Sequence, residues 1–383
     1  MSLSDDLKTR ARELGFVAVG ATSAEPFTQA EAAALERTQQ GLMDGLPWWS
    51  AARVRASADP RLRTPEAQSV IALAFPYAPP ATEEVDANAD LRGRIAAYAL
   101  GRDYHDVLSE RMQPLADLLR QSGHRAKTYI DHGWMLDRAA GARAGIGWLG
   151  KNTNLLVPGV GSYVLLSEIV TSAEIEPDSP SAKSCGSCTA CLRACPTGAL
   201  IAPGVLDNRK CISFWTIEHH GVIPLDVRPL LGDWVFGCDL CQEVCPVNAY
   251  PRRAEPDSVA TEAFGPHAVS GRPLLEDLLL LDDTGFRERF RGSAVWRTRR
   301  EGLLRNVCIA LGNLGDRHSV SALAGALRDQ AALVRGHAAW ALGRLAGTAA
   351  RAHLEAALKR EDDPWVRDEC GLARQECGPL VVQ

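Results

Sequence analysis

Eight cysteines in the middle of the chain carry its clearest chemical signal. The first group has the C-x₂-C-x₂-C-x₃-C-P spacing of bacterial ferredoxins and consists of Cys185, Cys188, Cys191 and Cys195, followed by Pro196. Three thiolates at this spacing bind one face of a 4Fe–4S cube, and the cysteine before proline ligates a different cluster. The pattern therefore predicts redox chemistry with two clusters.

A second group ends in the same way but lacks its first cysteine, because position 235 is valine. Cys211 lies between the two groups and can supply the missing thiolate. The cysteines before proline exchange between the clusters in this pattern. We therefore assign cluster one to Cys185, Cys188, Cys191 and Cys245. We assign cluster two to Cys195, Cys211, Cys238 and Cys241.

Two other uses of these cysteines are less consistent with the sequence. Disulfides need an oxidising compartment, and the charged N-terminus, with Asp5, Asp6 and Lys8, lacks the apolar core of a signal peptide. Zinc sites usually pair two C-x₂-C knuckles, whereas a triple run before proline is typical of clusters. The remaining Cys308, Cys370 and Cys377 lie in helical patterns and are predicted to be small buried residues.

A glycine-rich run between Gly145 and Asn152 fits G-x-G-x-x-G and nearly fits a P-loop. Both motifs require a strand before the loop and a helix after it. Here a helical pattern precedes the run and the strand-like residues 154–157 follow it. We therefore reject nucleotide binding, and expect the glycines to allow close approach of a large planar ligand or of another backbone segment.

Asp131 follows a predicted strand and is expected to begin a helix. Its carboxylate can cap that helix, or it can donate a proton if burial raises its pKa; composition alone favours the cap. His132, His219 and His220 lack an ordered set of metal ligands. The Asp-x-His-x-x-Gly motif that supplies histidine to cobalt is absent, and residues 103–108 come closest to it.

The surrounding pattern predicts three domains in an α+β multidomain chain of 383 residues. Strands such as 70–75, 125–130 and 161–170 alternate with helices such as 104–122, which indicates an α/β domain over residues 1–175. A ferredoxin-like 4Fe–4S domain follows over residues 176–270, with loose stretches at 174–183 and 251–271. Residues 271–383 contain similar segments about thirty residues apart, which predicts HEAT-like helical repeats.

Composition and charge limit the classes of protein to which the chain can belong. The chain is 46% hydrophobic with a net charge of −5, and no run approaches the roughly 18 apolar residues of a membrane span. We expect a soluble, cytoplasmic monomer. One stretch departs from the acidic balance: residues 286–305, the basic segment, carry seven arginines against Glu288 and Glu301. Such a patch can bind an anionic partner, or it can be an ordinary helix face in contact with solvent.

Taken in order, the chain resembles the epoxyqueuosine reductase family, the cobalamin-dependent iron–sulfur enzymes of the last step of queuosine synthesis in tRNA. The likeness lies in residues 131–140, in the run 144–152, in both cysteine groups with Cys211 between them, in 207–215, in 234–246 and in 296–306. It spans nearly the full length. The chain also resembles reductive dehalogenases, which pair cobalamin with two clusters but usually carry export signals.

The resemblance implies that the α/β domain holds cobalamin base-off, without a protein ligand to cobalt, and that two 4Fe–4S clusters pass it electrons from an external donor. It implies Asp131 as the proton donor. The implied cobalamin contacts are Arg55, Lys151, Asn152, Asn154, Ser213 and Trp215. The implied partner is tRNA carrying epoxyqueuosine in its anticodon, bound by Arg297, Arg299, Arg300 and Arg305.

Three other functions stay open from the sequence. They are a cluster-only electron-transfer protein, a cobalamin reductase like the reductive dehalogenases, and a zinc-bearing tRNA-binding module without redox activity.

Overall fold

The computed structural model describes residues 2–77, 91–131, 134–249, 263–264 and 271–377. The chain divides into two compact units. The first comprises Met1–Pro79, Gly101–Cys211 and Asp239–His267. The second comprises Pro80–Leu100, Ile212–Cys238 and Ala268–Gln383. The predicted boundaries at residues 175 and 270 stay a prediction.

Ten strands are found in the described residues. In chain order they are β1 (Ala18–Ser23), β2 (Ser69–Pro76), β3 (Arg94–Ile95), β4 (Ala126–Ile130), β5 (Trp148–Leu149), β6 (Leu155–Leu156), β7 (Val164–Thr171), β8 (Leu200–Ala202), β9 (Val205–Leu206) and β10 (Trp234–Phe236).

Fourteen α-helices are found in the same residues. They are α1 (Leu3–Glu13), α2 (Thr28–Gln39), α3 (Ala51–Ala58), α4 (Tyr104–Gln121), α5 (Asp137–Arg143), α6 (Ala190–Ala194), α7 (Leu240–Glu243), α8 (Leu275–Leu279), α9 (Asp283–Phe290), α10 (Arg299–Leu314), α11 (Val320–Ala326), α12 (Ala332–Leu345), α13 (Gly347–Leu358) and α14 (Pro364–Glu376).

A four-stranded sheet organises the first unit, in the order β1-β2-β7-β4. Strands and helices alternate along the chain as predicted, but all three pairings are antiparallel. The central strand β2 is buried at every position. Its apolar run Val70–Phe75 is typical of a strand that is covered on both faces, and helices α4 and α5 both contact the sheet.

Helix α5 lies close to the sheet because small residues face each other there. A Cβ atom on Gly20 of β1 would stand 2.0 Å from the carbonyl oxygen of Ala144, just after α5. Ala72 and Ala74 of β2 pack in the same apolar cluster as Ala144. This close approach fixes the end of α5 against the sheet.

The helix predicted to begin at Asp131 begins six residues later, at Asp137. Asp131 has a φ angle of +45°, which lies in the left-handed region, and the next helix in the described residues starts only at Asp137, too far along the chain for Asp131 to cap it. Capping by Asp131 is therefore wrong. A non-glycine residue in this region usually marks a strained turn with a functional reason.

The C-terminal helices α10 to α14 confirm the predicted repeats. Helix α12 packs against both α10 and α14. The two Ala-Leu-Gly triplets allow this packing, because a Cβ on Gly312 would meet the Cα of Ala341 at 3.0 Å, and one on Gly343 would meet the Cα of Ala373 at 2.8 Å. Cys308 and Cys370 are fully buried here, as predicted, whereas Cys377 is only half-buried.

The predicted loose stretch at 174–183 contains no helix or strand, but Asp178 fixes it to the first unit. Its carboxylate accepts hydrogen bonds from Lys8 Nζ at 2.7 Å and from the Ala21 N–H at 2.8 Å. The second predicted loose stretch, 251–271, lies outside the described residues apart from 263–264 and Gly271. In the described part of the chain, no helix is long and apolar enough to cross a membrane.

Candidate active site

Asp131 stands exposed at the end of β4, in the first unit. The Tyr104 hydroxyl donates a hydrogen bond to its Oδ2 atom. Tyr104 is the first residue of α4 and only 4% exposed, and its ring stacks on His105 with centroids 4.1 Å apart. The carboxylate of Asp131 is therefore held by a rigid, buried phenol while its other side faces solvent.

Tyr104 was not singled out from the sequence. It lies in the 103–108 segment, the closest match to a cobalt-binding histidine motif. In the structure this segment starts α4 instead, because Asp103 Oδ1 accepts a hydrogen bond from the His105 N–H at 3.0 Å. The signal that could have found Tyr104 is an aromatic hydroxyl directly after a helix cap.

Two arginine side chains pack on the ring of Trp134, three residues after Asp131. The guanidinium carbons of Arg53 and Arg63 lie 3.9 and 3.6 Å from the centroid of its ring. Cation–π contacts of this kind stabilise a ring by about 0.5–1 kcal/mol each at exposed sites. His132, which the sequence suggested as a possible metal ligand, lies outside the described residues.

Two further carboxyl groups lie behind Asp131. Glu168 on β7 is fully buried, and Asp137 begins α5. Burial, and then the charge of Asp137, raise the pKa of Glu168 well above its usual value. Burial raises the pKa of Asp137 to about 6, with a smaller contribution from Asp131. The sequence offered one signal for Glu168, a single acidic residue inside the apolar run of β7.

Seven of the eight predicted cluster cysteines belong to the first unit, and Cys238 is the last residue of a second-unit segment. All eight are free thiols. The first group leads into α6 and the second into α7, and these two short helices contact each other. In the described residues, no three His, Cys, Asp or Glu side chains are grouped so as to hold a single metal ion.

The thiols influence one another in two overlapping sets, because Cys191 affects Cys241 as well. Burial raises the pKa of Cys245, and Cys185 and Cys188 raise it further. Burial raises the pKa of Cys241 to about 12, and the next largest contribution comes from Cys211. Charge effects of this kind need short distances. Cys245 thus lies among cysteines of the first group, as the exchange between clusters requires.

Lys151 and Asn152 hold the two cysteine loops. Lys151 Nζ donates to the carbonyl oxygens of Gly186 at 2.6 Å and Cys188 at 2.9 Å. Asn152 is 5% exposed, and its Nδ2 donates to the Cys241 carbonyl at 3.2 Å. The structure gives these residues a role that the sequence did not indicate, and their contact with cobalamin stays a prediction.

The glycine-rich run follows α5 and contains β5, the first strand of the β5–β6 hairpin, so a helix precedes it and the strand β6 follows it. This order confirms the rejection of both nucleotide motifs. A Cβ on Gly145 would stand 2.3 Å from the Ser179 carbonyl oxygen, and one on Gly147 would stand 2.5 Å from that of Leu156. At these two positions the glycines admit another backbone segment.

The other four predicted cobalamin contacts are accessible. Arg55 on α3 is exposed, and Asn154, Ser213 and Trp215 are half-buried. Arg55 and Asn154 belong to the first unit, and Ser213 and Trp215 belong to the second.

Arg305 is buried in the second unit and is only 1% exposed. Its guanidinium donates to the carbonyl oxygens of His219 at 2.7 Å, and of Gly221 and Trp215 at 2.8 Å. A guanidinium whose donors are used inside the protein cannot reach a phosphate. The predicted tRNA contact of Arg305 is therefore wrong, and its role is to fix the segment that carries Trp215.

The side chains of the other three arginines predicted to bind tRNA differ in their exposure to solvent. Arg299 is exposed. The side chain of Arg297 is 35% exposed and lies 3.8 Å from Glu218 Oε1. The side chain of Arg300 is 12% exposed, pairs with Asp329, and donates to the Leu281 carbonyl at 2.7 Å. Trp296, next to Arg297, is 44% exposed and stacks on Phe286.

The two neighbouring histidines lie outside any ligand set in the described residues. His219 Nε2 contacts the Val222 carbonyl oxygen at 2.9 Å, and its ring packs edge-on against Trp215. His220 is exposed. His220 is therefore a surface residue, and His219 supports the Trp215 ring.

Comparison with known proteins matches three segments of the chain. Residues 184–248 match a family model described as 4Fe-4S double cluster binding domain. Residues 58–132 match one described as Epoxyqueuosine reductase QueG, DUF1730. Residues 297–373 match HEAT repeats. The chain therefore contains a two-cluster iron–sulfur domain and a C-terminal HEAT-repeat domain.

Full-length relatives agree with these matches. Epoxyqueuosine reductase of Bacillus subtilis is 35% identical over 94% of this chain and 92% of its own length. That of Xanthomonas campestris is 37% identical over 88% of this chain and 95% of its own length. A solved epoxyqueuosine reductase, bound to an epoxyqueuosine-modified tRNA stem loop, is 33% identical and superposes with a TM-score of 0.90 over 98% of this chain and 99% of its own. The chain belongs to the epoxyqueuosine reductase family.

Proposed function

We propose that this protein reduces the epoxide of epoxyqueuosine, at the wobble position of tRNA, to give queuosine. The observation that carries the proposal is the environment of Asp131. Its exposed carboxyl group accepts a hydrogen bond from the Tyr104 hydroxyl, and it lies in the unit that also contains seven of the cluster cysteines. Removing the epoxide oxygen as water consumes two electrons and two protons. The clusters that the cysteine loops would hold are suited to pass on two electrons from an external donor. Asp131 is suited to deliver one proton, and solvent supplies the second.

We assign the proton transfer to Asp131. Its carboxyl O–H bond breaks as a new O–H bond forms on the leaving oxygen, and general acid help of this kind typically contributes about 10²–10⁴-fold. The Tyr104 hydroxyl then donates to the resulting carboxylate and stabilises it. The left-handed backbone at Asp131 directs the side chain out of the strand.

We assign the cluster ligands as the sequence predicts. Cluster one takes Cys185, Cys188, Cys191 and Cys245, and cluster two takes Cys195, Cys211, Cys238 and Cys241. The mutual effects of Cys245 with Cys185 and Cys188 support the first set. The effect of Cys211 on Cys241, the largest of any thiol on it, supports the second, and smaller effects come from Cys191 and Cys195. The Lys151 ammonium, bound to carbonyls of the first loop, offsets the negative charge of a thiolate-ligated cluster.

We also propose that the protein binds cobalamin. The accessible donors fit its amide and phosphate groups: Arg55 offers a guanidinium, Asn154 an amide and Ser213 a hydroxyl, and Trp215 offers an aromatic surface. When bound, cobalamin supplies a strongly reducing metal centre. The protein's contribution is to hold the substrate against it and to deliver the proton from Asp131.

A tRNA substrate agrees with the charge of the second unit. Arg297 and Arg299 are the accessible members of the predicted set, and arginine suits phosphate because its planar guanidinium donates two parallel hydrogen bonds. The exposed indole of Trp296 lies beside them. Recognition of a loop nucleotide requires that its base be unstacked. We expect an external electron donor, a cytoplasmic location and a monomer.

Anaerobic purification with metal and corrinoid analysis tests the cofactors, and conversion of epoxyqueuosine-containing tRNA tests the reaction. We expect about eight irons per chain, a bound corrinoid, and product that depends on a reductant. Iron without corrinoid and without turnover would favour the cluster-only electron-transfer protein. Zinc in place of iron would favour the tRNA-binding module.

Replacing Arg297 and Arg299 together with alanine should weaken tRNA binding. Each lost phosphate contact should reduce the slope of log affinity against log salt by about 0.7–0.9. The matched control is the double variant Arg317→Ala/Arg328→Ala, which removes two exposed arginines elsewhere in the same unit. An equal loss of affinity in both double variants would refute a specific docking surface.

A further inference from the structure

The Thr216 hydroxyl joins the two stretches of chain that carry Cys211 and Cys238. It donates a hydrogen bond to the carbonyl oxygen of Ile212 at 2.8 Å and accepts one from the N–H of Gly237 at 2.9 Å. Ile212 directly follows Cys211, and Gly237 directly precedes Cys238. Thr216 is fully buried, and a hydrogen bond is stronger away from water. One hydroxyl therefore ties the backbone beside one proposed ligand of cluster two to the backbone beside another.

Asn306 of helix α10 connects the same two stretches a second time. Its side-chain Nδ2 donates hydrogen bonds to the carbonyl oxygens of Thr216 at 2.9 Å and of Val235 at 2.8 Å. Val235 is the middle residue of β10, the strand that ends two residues before Cys238. Asn306 and Val235 are both fully buried. A helix of the HEAT repeats is thus bound directly to the strand that leads into a proposed cluster ligand.

Arg305 fixes the orientation of the Asn306 amide. Asn306 Oδ1 accepts hydrogen bonds from Arg305 Nε at 3.0 Å and from Arg305 Nη2 at 2.9 Å. Turning the amide over would set its N–H groups against the guanidinium donors and its oxygen against two carbonyl oxygens, so only one orientation is favourable. The two donors and the two acceptor positions of this amide are all used inside the protein. A buried network that is fully satisfied in this way is rigid.

The backbone around Thr216 has a rare form. Residues Phe214–Glu218 make a π-helical turn, and such turns appear frequently at functional sites. Two carbonyl oxygens of this turn, those of Trp215 and Thr216, accept hydrogen bonds from Arg305 and Asn306. Helix α10 therefore holds this turn as well as β10.

Cluster two needs such support more than cluster one does. Three of the four proposed ligands of cluster one come from a single short run, so the local chain geometry brings them together. The proposed ligands of cluster two come from three separate stretches, which contain Cys195, Cys211 and the pair Cys238 and Cys241. Contacts between these stretches must therefore set the distances between their thiols.

We propose that Thr216 and Asn306 are positioning residues for cluster two, which hold Cys211 and Cys238 at the spacing that one cube requires. This inference rests on the proposed ligation of cluster two. It gives helix α10 two roles: Arg299 is exposed at its beginning, and the buried Asn306 supports the iron–sulfur centre. A change at Asn306 should therefore alter cluster two and leave cluster one intact.

The test is Asn306→Asp in the full-length, anaerobically purified holoprotein. Aspartate has nearly the same shape and still accepts from Arg305, but its oxygens cannot donate to the carbonyls of Thr216 and Val235. A chelator should remove about half of the iron about tenfold faster than from the wild type, because two buried carbonyls lose their partners. The electron paramagnetic resonance spectrum of the reduced protein should change in the signal of cluster two, which is identified as the signal altered in Cys238→Ser.

Asn313→Asp is the matched control. Asn313 lies two turns later on α10, and its Nδ2 donates to the carbonyl oxygens of Arg228 at 2.9 Å and of Gly232 at 3.0 Å. This variant also removes two hydrogen bonds between α10 and the 212–238 stretch, but none beside a cysteine. It should lower the melting temperature and leave the iron and the spectrum unchanged. Equal iron loss in both variants would reduce Asn306 to a packing role and overturn the proposal.

Thr216→Val decides the question if Asn306→Asp does not fold. Valine has the same shape as threonine and adds no charge, but it removes the hydroxyl between Ile212 and Gly237. The same cluster signal should change, with a smaller increase in the rate of iron loss. A wild-type spectrum and wild-type iron retention in the folded variant overturn the proposal.

Cys238→Ser separates this inference from the ligand assignment on which it rests. If this variant keeps all the iron and an unchanged spectrum, Cys238 is not a ligand, and the assignment fails together with the inference. If it loses or alters one cluster while Asn306→Asp and Thr216→Val behave as wild type, the assignment stands and the inference alone fails.

Discussion

Asp131→Asn should retain both clusters and lose most turnover, by about 10²–10⁴-fold. The amide has nearly the shape of the carboxyl group and can still pair with the Tyr104 hydroxyl, but it has no acidic proton to give to the leaving oxygen. The measurement is the rate of queuosine formation in tRNA under single-turnover conditions. Iron content and thermal stability are determined on the same sample.

Tyr104→Phe tests the same site with a milder change than Asp131→Asn. It removes one hydrogen bond to a charged group, which is worth about 1.5–3 kcal/mol, and it leaves the acid in place. We therefore expect a smaller loss than in Asp131→Asn. Wild-type turnover in Asp131→Asn would remove this residue from the reaction and would leave the left-handed backbone at position 131 without a functional reason.

The cysteine pattern was the part of the site that the sequence predicted best. Ligand spacing in an iron–sulfur loop is a local property, because three thiolates must reach one cube from a single short stretch of chain. The match of residues 184–248 to a two-cluster domain confirms the cluster chemistry. The repeats were predictable for a similar reason, since residues such as Gly312 and Gly343 recur where helices touch.

Arg305 and Arg299 show what the sequence could not separate. Both lie in one basic segment, six residues apart, and both were predicted to bind tRNA. Arg299 is exposed at the beginning of α10, whereas Arg305 faces the interior and binds three carbonyl oxygens. An arginine side chain of an amphipathic helix can contact phosphate or protein backbone, depending on which face of the helix packs against the rest of the fold. Amino-acid composition does not show which face that is.

The carboxyl groups around Asp131 were inaccessible to sequence reasoning for a related reason. Asp131, Asp137 and Glu168 come from a turn, a helix start and a strand. They approach one another through two tertiary features, the antiparallel register of β4 with β7 and the contact of α5 with β7. The sequence placed the start of the helix at Asp131 because aspartate is a good cap. In the structure the backbone has a positive φ at Asp131, and the helix begins six residues later at Asp137.

Cys211→Ser should reduce the iron content from about eight to about four per chain and abolish turnover. This cysteine is the least conventional ligand of the predicted set, because it belongs to neither cysteine run. Its position is nonetheless well defined. Its N–H donates to the Asn208 carbonyl at 3.0 Å, and the Asn208 N–H donates to that of Leu42 at 2.8 Å.

The tight turn before Cys211 is stabilised without any cluster. The Asp207 side chain is only 3% exposed, accepts a hydrogen bond from the Arg209 N–H, and pairs with the Arg209 guanidinium at 2.9 Å. The serine variant should therefore keep its fold around residue 211 and lose only the thiolate. Cys377→Ser is the matched control, since it replaces a half-buried cysteine of the last helical repeat, and it should retain all the iron.

The spectrum of the Cys211→Ser protein decides between two readings of the site. Loss of one cluster with the other intact means that cluster two depends on a ligand between the runs. If turnover is lost as well, electrons reach the substrate only through both clusters. Retention of about eight irons would mean that another group completes cluster two. Asp239 is the first candidate, because its carboxylate, like the Cys211 thiol, contributes to the raised pKa of Cys241. In that event Asp239→Asn in the Cys211→Ser background should remove the second cluster.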